Sequence, residues 1–195
     1  MILLLASIIA FGQNDTSHIK MVSDPSSSNS EFKSLLLFQN IDYHKVKFIG
    51  NGLSSKYFTV LVKEMWDGEV KKIDTLINSK VNKKMGTIGS DTLYLSLLAS
   101  KVENNKLKFF FRFPMVGMTR KYEGINSDDY SLRDIGIDLK IEKNKFFPAF
   151  AYILPYVEGN WKMYCAVDKS GINVEDWGKK FKIKHYLIFE IKFED

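Results

Sequence analysis

The sequence predicts an all-β fold, an antiparallel β-sandwich, and three observations predict it. Apolar and polar side chains alternate with period two through most of the chain after residue 42. Tight-turn dipeptides recur between the alternating stretches. No segment past residue 45 carries apolar residues at helical spacing. About nine strands, built from successive hairpins, account for these stretches, with a short N-terminal helix before them. An up-and-down β-barrel would show the same alternation and is the alternative closure. The 195 residues suit one domain, and 45% hydrophobic with 26% charged residues is the balance of a globular chain rather than a disordered or multi-span one.

The elements follow in order. Residues 2–11 form an apolar run broken only by Ser7. A bilayer-spanning helix needs about 20 such residues, so no transmembrane segment is expected here and the run has the length of a signal-peptide core. Ala10 and Gly12 occupy the small-residue positions a signal peptidase reads, which places cleavage between Gly12 and Gln13 and a signal peptide at 1–12. Residues 13–30, with Asp24-Pro25 and a serine run from Ser26, read as a disordered tether with too little apolar surface to offset its ordering entropy. A single β domain is expected over 31–195. Phe32, Leu35, Leu36 and Gln39 recur at helical spacing after Ser30, a good N-cap, and predict the short helix leading into the fold.

The first strand is expected over 43–49. Asp67-Gly68 then joins Tyr57–Trp66 to 69–77 as a hairpin. A two-residue loop sets Trp66 opposite Glu69, Glu64 opposite Lys71, Val62 opposite Ile73 and Phe58 opposite Ile77. Asn104-Asn105 turns 92–103 into 106–113, because Asn tolerates positive φ. Lys143-Asn144 separates strands at 135–142 and 145–154, and Gly159-Asn160 separates 150–158 from 161–167. The final strand, 181–193, places Phe181, Ile183, His185, Leu187, Phe189, Ile191 and Phe193 on a buried face and leaves the other face mostly wet. The stretches 78–91 and 114–133 are too long for hairpin loops, so one of them is expected to cross between sheets.

The stretch 35–48, opening Leu35-Leu36-Leu37-Phe38 and continuing through Ile41-Asp42-Tyr43-His44, is followed by Lys63-Glu64-Met65-Trp66-Asp67-Gly68. It resembles small exported proteins of Bacteroidota that are grouped only as a domain of unknown function. The leader ending Ala10-Phe11-Gly12 before Gln13 is similar to that phylum's signal peptides. The resemblance implies the periplasm or the cell surface and carries over no functional residues.

Charge narrows the partners. The net charge is +5, and all the basic residues but Arg112, Arg120 and Arg133 are lysines. Lysine is a point charge, whereas the arginine fork suits phosphate and base edges, so no nucleic-acid partner is expected. A single cysteine, Cys165, excludes an internal disulfide framework and reads as core filler. No cofactor is expected. His18 falls in the tether, His44 reads as surface, and His185 reads as a hydrogen-bonded core imidazole. Asp128, Asp129 and Asp134 are the candidate metal ligands, as hard oxygens crowded in one loop, though their spacing matches no calcium motif. The segment from Met85 to Ser90 has two glycines but lacks the lysine and helix of a phosphate loop. Trp66, Trp161 and Trp177 lie at strand ends, where aromatic faces can form a platform for sugar rings or cap the core.

The expected role is an exported, non-enzymatic envelope protein that binds a ligand or partner, either another envelope protein or a glycan. A barrel carrier of a small apolar ligand, with Phe110, Tyr94 and Leu97 lining its cavity, is the alternative. A carbohydrate-active or hydrolytic enzyme is the second alternative, and it requires two carboxylates or a Cys–His pair in one cleft.

Overall fold

A computed structural model of the chain describes residues 18–25, 27–82, 84–164 and 170–195. The expected signal peptide, the Gly12–Gln13 cleavage site and Cys165 lie outside the described residues. Six strands occupy the first part of the chain: β1 (Lys20–Asp24), β2 (Asp42–Ile49), β3 (Tyr57–Trp66), β4 (Glu69–Asn78), β5 (Thr92–Val102) and β6 (Lys106–Arg112). The remainder are β7 (Gly117–Glu123), β8 (Ser131–Arg133), β9 (Phe147–Ile153), β10 (Tyr156–Glu158), β11 (Trp161–Met163) and β12 (His185–Glu194). They form two five-stranded antiparallel sheets, β1-β2-β5-β6-β7 and β4-β3-β12-β9-β8, and a two-stranded ribbon β10-β11. The two sheets share no strand and stay open at their edges, so the sandwich forms and the barrel does not.

Aromatic rings fill the space between the sheets. Phe109 and Phe111 on β6 meet Phe189 on β12 with ring centroids 5.0 and 5.4 Å apart. Phe48 on β2 meets Phe193 at 5.4 Å. Such edge-on pairs add to the burial of large apolar surface, so they hold the layers in one relative position.

The turns follow the sequence, but the register departs from it. Asp67 (φ 50°) and Gly68 (φ 79°) both lie in the left-handed region, as a two-residue loop twisted with its strands requires. Trp66 pairs with Glu69 as expected. Glu64 then pairs with Lys72 and Val62 with Asp74, because Lys71 is an extra residue at a bulge. A second bulge at Leu76 sets Ile77 opposite Val60 instead of Phe58. Both long stretches carry the chain between the sheets. The segment 78–91 links β4 to β5, and 114–133 contains β7 and β8, with the crossing at 124–130.

Five expectations are corrected. Residues 20–24, placed in the tether, form edge strand β1 paired with β2, because Ile19 and Met21 alternate into the core. A helix α1 (Ser30–Phe38) then lies between β1 and β2, capped by the Asn29 side chain accepting from the Phe32 N–H at 2.8 Å; Leu36 is its one buried residue. Residues 135–142 are no strand. β8 occupies the outer edge of β9, the Gly136 N–H bonds Ala149, and Ile141 makes a lone bridge to Ile19. The stretch 150–158 breaks at Leu154-Pro155 into β9 and β10, since proline has no N–H to donate to a ladder. Finally, β12 begins only at His185. Before it come a 3-10 turn (Val174–Asp176) and a short helix α2 (Trp177–Phe181), ended by Lys182 at φ 56°.

That last segment changes what β12 can be. The second face of β12, expected to be wet, is buried at Tyr186, Ile188 and Glu190. The Tyr186 hydroxyl donates towards the Val174 carbonyl (2.9 Å) and accepts from the Gly178 N–H (3.1 Å). Lys63 on β3 joins Glu190 (2.9 Å) to Glu175 (2.6 Å). The segment also rests on the β3–β4 turn. A Cβ on Gly178 would stand 2.5 Å from Gly68 Cα, so this crossing needs a residue without one. Among the described residues no helix is long and apolar enough to cross a membrane.

Candidate functional site

An apolar recess lies at one end of the sandwich. Its wall is the crossover 84–90, its floor is Phe58 and Phe113, and Thr92, Leu93 and Tyr94 at the start of β5 form the facing side with Pro114 and Met115. Local structure fixes each part. Ile88 is buried and hydrogen-bonded to the 55–56 turn, its N–H to the Lys56 carbonyl (2.8 Å) and its carbonyl to the Ser55 N–H (2.7 Å). The Phe113 N–H bonds the Val116 carbonyl at 2.8 Å and closes the β6–β7 turn. Phe58 and Phe113 meet with ring centroids 5.3 Å apart. The result is a groove of about 590 Å³, open to solvent. Met115 is 76% exposed and Tyr94 is 54% exposed at its rim, while Lys84 supplies a cation. Apolar walls with one charged group can hold an apolar chain and orient its acidic end.

The expected cavity lining divides. Tyr94 lines this groove, Leu97 is buried between the sheets, and Phe110 lies on the outer face of β6. The Met85 to Ser90 segment, which matches no phosphate loop, is the groove's wall, and nothing in its composition distinguishes a wall from a plain loop.

A second, polar cleft lies under α1, lined by Asp42, Tyr43, His44, Arg133 and Asp134 together with Leu36 and Leu37. His44 is buried, not on the surface, because it shares the inward parity of Val46 and Phe48. Its Nδ1 lies 3.1 Å from Ser23 Oγ and 3.7 Å from Asp134 Oδ2. Hydrogen bonds from His44 and Ser23 hold the Asp134 carboxyl down at about 2. Burial pushes the Asp42 carboxyl up from its ordinary value, against the Leu132 N–H that bonds it at 2.9 Å. The serine and the aspartate address the same ring nitrogen, so the imidazole does not relay a proton between them. The pattern Asp42-x-His44 on one strand face was readable in the sequence and was missed, because His44 was read as a surface residue among Tyr43, Lys45 and Lys47.

The remaining candidates separate. Asp128 pairs with Lys101 (3.1 Å), Asp129 with Lys162 (2.6 Å), and Asp134 with His44, so the three acids do not converge. Trp177 is only 3% exposed and its indole N–H donates to the Ile172 carbonyl (3.2 Å), which leaves no face for a ligand. Trp66 packs on the His185 ring at 4.1 Å. Trp161 is 75% exposed on the β10–β11 ribbon. His185 is a core imidazole. The Tyr130 hydroxyl accepts from the Ile125 N–H (3.1 Å) and shares a hydrogen bond with His185 Nδ1 (2.6 Å), and burial holds the ring at about 4.

Comparison with protein families, with curated proteins and with solved structures finds no match to this chain.

Proposed function

We propose that this chain is an exported, non-enzymatic binding protein of the cell envelope, whose end groove holds an apolar chain carrying an acidic head. The groove itself carries the reading: about 590 Å³ of apolar recess, within the roughly 300–1,000 Å³ of small-molecule sites. The leader at 2–11 supports export. Lys84 at the groove supports the acidic head. Titration of the full chain with a fluorescent fatty acid tests it. Saturable binding is expected, weakened at least tenfold by Met115→Glu and several-fold by Lys84→Glu. Binding that does not saturate, or that ignores both changes, would remove the groove from the account.

A second reading is hydrolysis of a glycan or ester at the polar cleft, favoured by one observation. Asp42 and Asp134 line the same cleft with their carboxyls shifted in opposite directions, as an acid and base pair requires. Turnover of a chromogenic glycoside or ester that disappears in Asp42→Asn and in Asp134→Asn would establish it; no turnover in the parent chain would dismiss it.

A further inference from the structure

We propose that the outer face of the β1-β2-β5-β6-β7 sheet is a docking surface for an acidic polysaccharide, a chain of uronate- or sulfate-bearing sugars. This surface meets the groove at Tyr94 but does not rest on it. Register assigns the side chains. Val22, Lys47 and Tyr94 are neighbours across three strands, and Asp24, Lys45, Ser96 and Arg112 form the next row. Tyr43, Leu98, Phe110 and Thr119 form a third, and Ser100, Lys108 and Lys121 a fourth. Lys20 and Lys106 occupy the two ends. On these rows the acids are Asp24 and Glu123, and Glu123 is paired with Lys106.

Neighbouring strands are about 4.8 Å apart, and same-face residues along a strand about 7 Å, so these cations lie within or near one Debye length of the next and act jointly on a polymer of charges. The opposite sheet shows no such field: Lys63 is matched by two glutamates and Lys192 by Glu194. Seven cations on these rows thus stand against two acids.

The chemistry of the face selects the partner. Lys45 Nζ lies 5.8 Å from the centre of the Tyr43 ring, and Lys47 Nζ 5.7 Å from that of Tyr94. Tyr94, 54% exposed, sets an apolar ring fit to meet a sugar beside cations fit to meet its acid group, while Tyr43 packs edge-on against Phe32 of α1 at 5.5 Å. Arg112 is the one arginine among these rows, so the bidentate fork that favours nucleic acid is scarce. A twisted sheet also follows a polymer chain more closely than a planar bilayer.

Retention of the full chain on immobilised polyuronate and dextran sulfate tests this, with neutral dextran, DNA and anionic phosphatidylglycerol vesicles in parallel. Retention on the acidic polysaccharides is expected at low salt, falling steeply as salt rises. Lys45→Glu with Lys47→Glu and Lys108→Glu should weaken it at least tenfold. The same charge change at exposed lysines off this face, Lys71, Lys140 and Lys145, should alter it less than about threefold. Gln in place of Glu serves if the reversed variant fails to fold. Equal losses in both variants, no retention of the parent chain, or use of this face by DNA or vesicles instead would overturn the proposal.

Discussion

The two sheets present the same kind of inner face and opposite kinds of outer face. On the β12 sheet, the segment 174–181 lies across the back, so Tyr186, Ile188 and Glu190 are as buried as the inward-facing side chains. On the β2–β5–β6 sheet the back is open. Lys45, Lys47, Lys108 and Arg112 are exposed there, and Leu98 and Phe110 are half-buried. A strand can be period-two in sequence and still be dry on both sides. What decides it is whether another segment reaches the second face, and that is a property of the whole fold.

The largest test of this contrast compares equivalent truncations. Ile188→Ala on the covered back should cost about 4 kcal/mol, and Leu98→Ala on the open back about 1 kcal/mol, read from denaturant midpoints. Equal costs would mean the two backs are equally dry.

Next comes pH. Burial at the head of β12 holds His185 at about 4 against an ordinary 6.5. The folded chain therefore binds fewer protons than the unfolded chain between these values. Stability should be full above pH 6.5 and fall towards pH 4 by roughly 3 kcal/mol. His185→Phe should flatten that window. Asp134, held at about 2, acts lower, its contribution being lost as pH falls from 3.8 to about 2.

Smaller effects probe the cover itself. Lys63→Met leaves Glu190 nearly buried without its cation and should cost about 2 kcal/mol, a discount from fully buried pairs because Glu175 is partly wet. A double-mutant cycle with Glu190→Gln should recover most of that loss. Gly178→Ala forces a methyl against Gly68 and should cost about 1–2 kcal/mol. Raised amide exchange over 174–181, with β5 and β6 unchanged, would be its signature.

Much of this fold was legible in the sequence. Asp67-Gly68 marks its hairpin because few other pairs accept two positive φ angles, and the alternation of Phe109 and Phe111 with Lys108 and Arg112 gives their faces correctly. Failures came where a partner was non-local. Residues 135–142 alternate well, but β8 already occupies the edge of β9 beside them. The tether hid β1 because two apolar residues, Ile19 and Met21, suffice for an edge strand once β2 is beside them. Tyr186 and Ile188 on the supposedly wet parity were the readable sign of a covered face. The groove left no sign, since Met85, Ile88 and Met115 converge only through a crossover and a turn.

One placement bears on how the chain is made. β12 pairs with β3 on one side and β9 on the other, yet it is the last element in the sequence. Until those residues leave the ribosome, β3–β4 and β8–β9 are two hairpins with no common neighbour. This sheet therefore closes slowly, its pairings being far apart along the chain.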